Sequence, residues 1–231
     1  MQNSQIFQEK FSKCIFSFLD KGRSFRENVH CSFFSTRNSE KIVTFAPRMG
    51  ENNDIAQMLA LLHELQGIDF VHQLRLITER HEFSPLKDNP LIFSVGGEGA
   101  DDYGPLMDAA RKAVEHGYRV FVLPNPKGFR TADFIFERKG VYKMFDLKTI
   151  VGRNSVGNRL KESIGQANSV LLNLKCTYGI RNITDEIRHH FEMSPNAVEV
   201  LIFTGNKEIS VKRNIASSKG FLKMMMNSFR K

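Results

Sequence analysis

Three cysteines in 231 residues, Cys14, Cys31 and Cys176, are too few and too widely spaced for a disulfide framework. No two of them form a C-x-x-C pair, so a thiolate metal centre is not expected. Free thiols suit a reducing, cytoplasmic setting. No apolar run approaches the roughly 18–20 residues that span a bilayer, so no membrane partner is expected. The start, MQNSQIFQEKFSKCIFSF, has a Glu and a Lys before any long apolar core and no small-residue cleavage site, so no signal peptide is read. There is no internal repeat and no low-complexity stretch. H-E-x-x-H is missing, which argues against a zinc hydrolase. The glycine-rich VGGEGADDYG is neither G-x-G-x-x-G nor a P-loop and reads as a flexible helix entry. No serine or cysteine sits in a nucleophile elbow.

Negative charge is also in short supply. The chain has 33 Lys and Arg against 25 Asp and Glu, a net charge of +8. The excess gathers at the end, where GNKEISVKRNIASSKGFLKMMMNSFRK holds seven basic residues and one acid. A basic segment attracts polyanions, nucleic acid above all, and Lys212 and Arg213 are the candidates there. An incidental surplus on a solvated surface is the alternative. Hydrophobic residues at 41% and charged residues at 25% describe an ordinary globular protein of one or two domains.

Texture divides the chain at about residue 92. Residues 1–92 read as mainly helical and of unknown role, with DIAQMLALLHELQG and DFVHQLRLITERH at helical spacing. HEFSPLKDNP reads as a linker. Residues 93–231 alternate. LIFSV is a short strand candidate at the boundary, and GPLMDAARKAVEHG is a helix with Pro at its start and Gly at its end. YRVFVL, ADFIFE and VYKMFDLK are strands. SVGNRLKESIGQA is a helix with Ser155 as N-cap. SVLLNLK, ITDEIRHHFE and AVEVLIFT follow as strand, helix and strand. The order predicts an α/β layer domain, with 205–231 as a basic tail. His189 and His190 read as surface residues, and Met224 to Met226 as core or interface filler.

One stretch raises a chemical question. RTADFIFERKGVYKMFDLKT, residues 130–149, has two apolar runs around ERKG, with Asp133 opening the first and Asp146 and Lys148 closing the second. Asp and Lys are depleted in strand interiors. A two-residue turn at Lys139-Gly140 would set Asp133 opposite Asp146, with Lys148 on the same face. Phe134, Phe136, Phe145 and Leu147 would then point the other way, making the hairpin amphipathic. Two adjacent carboxylates repel unless a cation stands between them. Lys148 offsets one charge, and Mg²⁺ or Mn²⁺ would offset the rest through hard oxygen ligands. A salt bridge at a solvated sheet edge is the alternative.

An acid at a strand start, a hairpin, then D-x-K resembles the PD-(D/E)XK nuclease superfamily, here written TAD and DLK. The longer string from DAARKAVEHGYRVFVLPNPKGFRTAD to NRLKESIGQANSVLLNL resembles the C-terminal tRNA-nuclease toxin domains of contact-dependent growth-inhibition proteins, over roughly residues 98–204. The resemblance implies an αβββαβ restriction-endonuclease-like core on a mixed central sheet. It implies Asp133 and Asp146 as metal ligands, with Asp108 or Glu98 as the helix acid, although Asp108 stands where Glu is usual. It implies catalytic roles for Lys148 and Gln166, and an immunity or inhibitor protein as partner. Asn154, Ser155 and Arg159 lie where donors could neutralise a phosphate. The expected function is a metal-dependent nuclease, with RNA and especially tRNA favoured. A restriction-type DNA endonuclease would use the same site, and a binding module would keep the fold without turnover. Nothing in the sequence speaks to oligomeric state.

Overall fold

The computed structural model describes residues 55, 58, 59, 62, 65–95, 103–124, 131–152 and 155–230. Residues 50–231 form one compact unit. Its centre is an eight-stranded sheet whose strands lie side by side in chain order. They are β1 (Ser84–Pro85), β2 (Ile92–Ser94), β3 (Arg119–Val122), β4 (Phe134–Arg138), β5 (Val141–Ile150), β6 (Ser169–Leu174), β7 (Glu199–Thr204) and β8 (Lys207–Lys212). Among the described residues six helices with defined bounds surround it: α1 (Gly67–Thr78), α2 (Tyr103–Glu115), α3 (Val156–Glu162), α4 (Ile180–Met193), α5 (Arg213–Ala216) and α6 (Phe221–Arg230). The mixed α/β class expected from the sequence is therefore observed. From α2 to β6 the order is helix, three strands, helix, strand.

Helical crossovers make three pairings parallel, β2 with β3, β5 with β6 and β6 with β7, while hairpins make β3–β4, β4–β5 and β7–β8 antiparallel. SVLLNL and EVLIFT are nearly continuous apolar runs because parallel strands at the centre are covered on both faces. On one face α2 lays Met107, Ala109, Ala110 and Ala113 against Val120, Phe134, Phe136, Phe145, Leu171 and Leu201. Its alanines let the helix approach closely. On the other face α1 covers Phe121, Leu123, Ile135 and Met144, and α3, α4 and α6 cover Val170, Leu172, Val200 and Ile202. The hairpin is therefore not amphipathic: Ile135 and Met144 are buried like the phenylalanines on the other face, and Lys143 lies on the phenylalanine face opposite Phe136.

The sheet curls around α2. Tyr118, just before β3, donates a 2.6 Å hydrogen bond to Glu208 of β8, and Arg138 of β4 donates one of 3.0 Å to the same carboxylate. Five strand spacings separate β3 from β8, roughly 24 Å in a flat sheet. Accumulated twist closes that gap.

Several expectations are corrected. The linker at 81–90 contains β1, which pairs with β2. Ile55, Leu59, Leu62, Leu74, Ile77 and Phe83 share a core cluster with Phe121, Ile135 and Met144, so a division at 92 runs through shared packing. The basic tail is an integral part of the fold. It supplies the edge strand β8 and then α6, whose Phe221 and Met225 are fully buried. Arg213 closes the end of α4, its guanidinium donating to the carbonyls of Phe191, Ser194, Pro195 and Ala197. It is a structural residue there and not a free cation. Lys212 is exposed. His189 is exposed beside Glu192, but His190 is buried among core residues, and burial lowers its pKa. Ser155 precedes α3 without capping it; its hydroxyl donates to Gly152 O at 2.8 Å. No described helix is long and apolar enough to cross a membrane.

Candidate active site

The turn between β4 and β5 fixes the site. Lys139 and Gly140 both take positive φ, 54° and 77°, the left-handed pair that suits a two-residue hairpin loop. Arg138 then pairs with Val141, and the register runs without a slip to Phe134 opposite Phe145. Just beyond that register, the Asp133 side chain lies within hydrogen-bond reach of Asp146. A loop one residue longer would have sent these side chains to opposite faces. Asp133 also ends the ladder. Its N–H donates to Phe145 O at 3.0 Å, and its carbonyl accepts from Leu123 N–H at 2.9 Å. Its Oδ2 accepts the Leu147 N–H at 2.6 Å. A side chain thus replaces the backbone acceptor of the next rung, which is one physical reason for an Asp at this strand start.

Asp146 is 1% exposed. Lys148 Nζ lies 2.8 Å from both of its carboxylate oxygens and is aligned as a hydrogen bond to Oδ1. The Lys148 side chain is 12% exposed, and Asp133 is partly exposed. Burial pushes the Asp146 carboxyl up to about 7; Lys148 opposes the shift, and the charge and hydrogen bond of Asp133 add to it. With both acids ionised, two negative charges meet in a poorly solvated place beside Lys148. The donors are hard carboxylate oxygens, and Mg²⁺ is commonly held by one or two carboxylates together with water and phosphate. The pair Asp133 and Asp146 fits such an ion in donor chemistry. Among the described residues, no three His, Cys, Asp or Glu side chains converge as ligands.

Asp108 does not join them. It projects from α2 onto the other face of the sheet, where Asn173 Nδ2 donates to its Oδ2 at 2.8 Å. Lys175 Nζ lies 2.6 Å from Oδ1, and Lys112 Nζ lies 3.6 Å from Oδ2. Lys112 also donates to Asn173 Oδ1 at 2.8 Å. Burial by itself would raise the Asp108 carboxyl, but hydrogen bonds from Lys175 and Asn173 and the two lysine charges hold it below the usual range. The strand period explains the separation. Asn173 shares the α2 face with Leu171, whereas Asp146 and Lys148 share the other with Val170 and Leu172.

The remaining candidates are dispersed. Gln166 follows α3, donates to Glu162 O at 2.5 Å, and lines a cavity with Tyr142 and Met144, upstream of Asp146 along β5. Arg159 pairs with Glu162 at 2.8 Å on the surface of α3. Asn154 and Glu98 lie outside the described residues, as does most of VGGEGADDYG. The sequence reading missed Asn173 and Lys175. An Asn inside the apolar run SVLLNL was the available signal, since Asn is depleted in strands.

Comparison with known proteins gives two likenesses. A family model for the contact-dependent growth inhibition CdiA C-terminal domain matches residues 130–209, from the hairpin to β8. Among solved structures, the chain is similar to a CdiA-CT/CdiI toxin and immunity complex from Burkholderia pseudomallei, with 18% sequence identity over 48% of this chain and 84% of that chain, and a TM-score of 0.36. No curated protein sequence matches the chain.

Proposed function

We propose that this protein is a toxin-type nuclease that hydrolyses phosphodiester bonds, with RNA, and tRNA in particular, as the favoured substrate. The observation that carries the reading is the meeting of Asp133, Asp146 and Lys148 on one face at the end of the β4–β5 hairpin. The match of the CdiA C-terminal domain model across the same hairpin supports it. Asp133 and Asp146 would hold a Mg²⁺ or Mn²⁺ ion, which would polarise the phosphate and lower the pKa of water. Lys148 brings a positive charge in a weakly hydrated setting, where it acts on a phosphate more strongly than it would in bulk water. The phenylalanines on the opposite face and the Asp133–Leu147 hydrogen bond hold these groups in place. The preference for tRNA rests on sequence resemblance. An inhibitor protein that blocks the site is the partner such a toxin needs in the cell that makes it.

The experiment is incubation of the protein with total RNA and with plasmid DNA, each with Mg²⁺ and with excess chelator. Cleavage of RNA that stops in chelator and in the Asp146→Asn protein is expected. Cleavage of DNA alone would move the assignment to a restriction-type enzyme. Binding without cleavage of either polymer would reject the nuclease reading in favour of a non-catalytic module.

A further inference from the structure

A cavity of about 600 Å³ opens where α1, the start of β5 and the loops before β6 and β7 meet. That volume lies in the range of small-ligand sites. Phe70 of α1 and Tyr142 of β5 both line it, so an aromatic ring is offered from each of two elements. Gln66, Asn168 and Asn196 also line it, and none of these three amide side chains has a hydrogen-bond partner in the described protein. An amide carries a donor and an acceptor side by side and does not ionise. Among the described residues, only one lysine faces the space, Lys143, and it lies 2.6 Å from the buried Glu199. Among the described residues the cavity thus holds no free cation for a phosphate. Aromatic rings with uncharged amides and a neutralised lysine suit a flat, neutral, hydrogen-bonding group, which is the chemistry of a nucleobase.

Its position bears on the same conclusion. Tyr142, Met144, Asp146 and Lys148 alternate along β5 on one face. At about 3.3 Å per residue, Met144 stands roughly 7 Å and Tyr142 roughly 13 Å from Asp146 along the strand. A base turned out of its stack could occupy the cavity while the backbone of the same strand passes Asp146 and Lys148. The loop that presents Asn168 is fixed, because its carbonyl accepts the Val198 N–H at 2.7 Å. We infer that this cavity is a base-binding subsite that receives one unstacked nucleobase of a single-stranded substrate. The inference rests on the nucleic-acid reading above and adds to it a residue set for sequence preference.

The test uses nucleosides, which carry no phosphate. The four ribonucleosides are titrated by calorimetry into the full-length protein, with ribose 5-phosphate as the control for sugar and charge. Saturable binding of at least one nucleoside at one site is expected, with none of the control. Tyr142→Ala and Asn168→Ala should each weaken it by about tenfold, the scale of one lost stacking partner for the first and of one lost hydrogen bond for the second. Asn196→Ala, in a loop outside the sheet, is the variant least able to disturb folding, and melting temperatures identify any variant that unfolds. Absence of saturable binding, or binding unchanged in the folded variants, overturns the subsite. RNA cleavage assayed on the same preparations separates the two ideas. Cleavage without nucleoside binding rejects the subsite and keeps the nuclease. Nucleoside binding without cleavage keeps the subsite and rejects the nuclease.

Discussion

Two polar clusters occupy opposite faces of one sheet, and each joins carboxylate to lysine. On the α2 face, Asp108 has two lysines and a buried Asn173, so cation exceeds anion and the carboxyl is held low. On the other face, Asp146 is paired with Lys148 beside Asp133, and burial above all, with the charge and hydrogen bond of Asp133 added, raises it against the pull of Lys148. The same residue types therefore give opposite electrostatic results. The first cluster is a satisfied structural network. The second brings two carboxylates together in a poorly solvated place, an arrangement that stabilises a protein little and suits the binding of a cation.

The largest expected effect is on cleavage. Asp146→Asn and Lys148→Ala should each reduce RNA cleavage by at least about a hundredfold, while Asp108→Asn should leave it within about twofold. Equal losses in gel-based rate assays of all three would erase the distinction between the faces. Next in size is stability. Lys148→Ala leaves Asp146 buried beside Asp133 without its cation and should cost about 3 kcal/mol at pH 8 in denaturant unfolding. The cost should shrink at pH 5, where Asp146 takes up a proton.

The pH dependence sharpens the comparison through its sign. Folded Asp146 holds its proton to about 7, whereas the unfolded chain releases it near the ordinary value of 3.8. Between those values the folded state binds more protons, so this group's contribution to stability falls as pH rises and is lowest above 7. Asp146→Asn should remove that fall and raise stability of the metal-free protein at pH 8 by on the order of a few kcal/mol. Asp108, held low, has the reverse signature. Its contribution is present above the unfolded value and is lost as pH falls through its folded value. Asp108→Asn should therefore flatten only the acid side of the profile. Unfolding measured from pH 3 to 8 on both variants decides this, and a flattened neutral limb in Asp108→Asn would refute the assignment. Smaller again is Asn173→Ala, which leaves Asp108 and Lys112 without their shared partner and should cost about 1–3 kcal/mol with cleavage retained.

Much of the hairpin site was legible because it depends on local chemistry. The positive φ demanded of a two-residue turn pointed to Lys139-Gly140, and strand alternation then placed Asp133, Asp146 and Lys148 together. Asp108 was assigned by resemblance and landed on the wrong face, because a helix position says nothing about which side of a sheet the helix will cover. The tail misled for a related reason. Its seven basic residues are conspicuous, whereas Val211, Phe221 and Met225, which anchor it, are few and widely spaced. The cavity beside β5 left no sequence signal, since Gln66, Tyr142 and Asn168 belong to three segments with no motif in common.

Taken alone, the sequence determined the α/β class, the hairpin register and the grouping of two acids with one lysine. Each follows from interactions among near neighbours in the chain, where turn geometry and side-chain period leave few choices. Only the tertiary structure decided that both hairpin faces are buried, that α1 covers one of them, that Asp108 faces away, and that Arg213 serves carbonyls of α4. Those outcomes depend on which apolar surfaces meet across long separations and on how far an eight-stranded sheet curls around α2. The hydrophobic effect that drives such meetings is non-directional. Apolar pattern therefore says that a surface will be covered, and the assembled fold says by what.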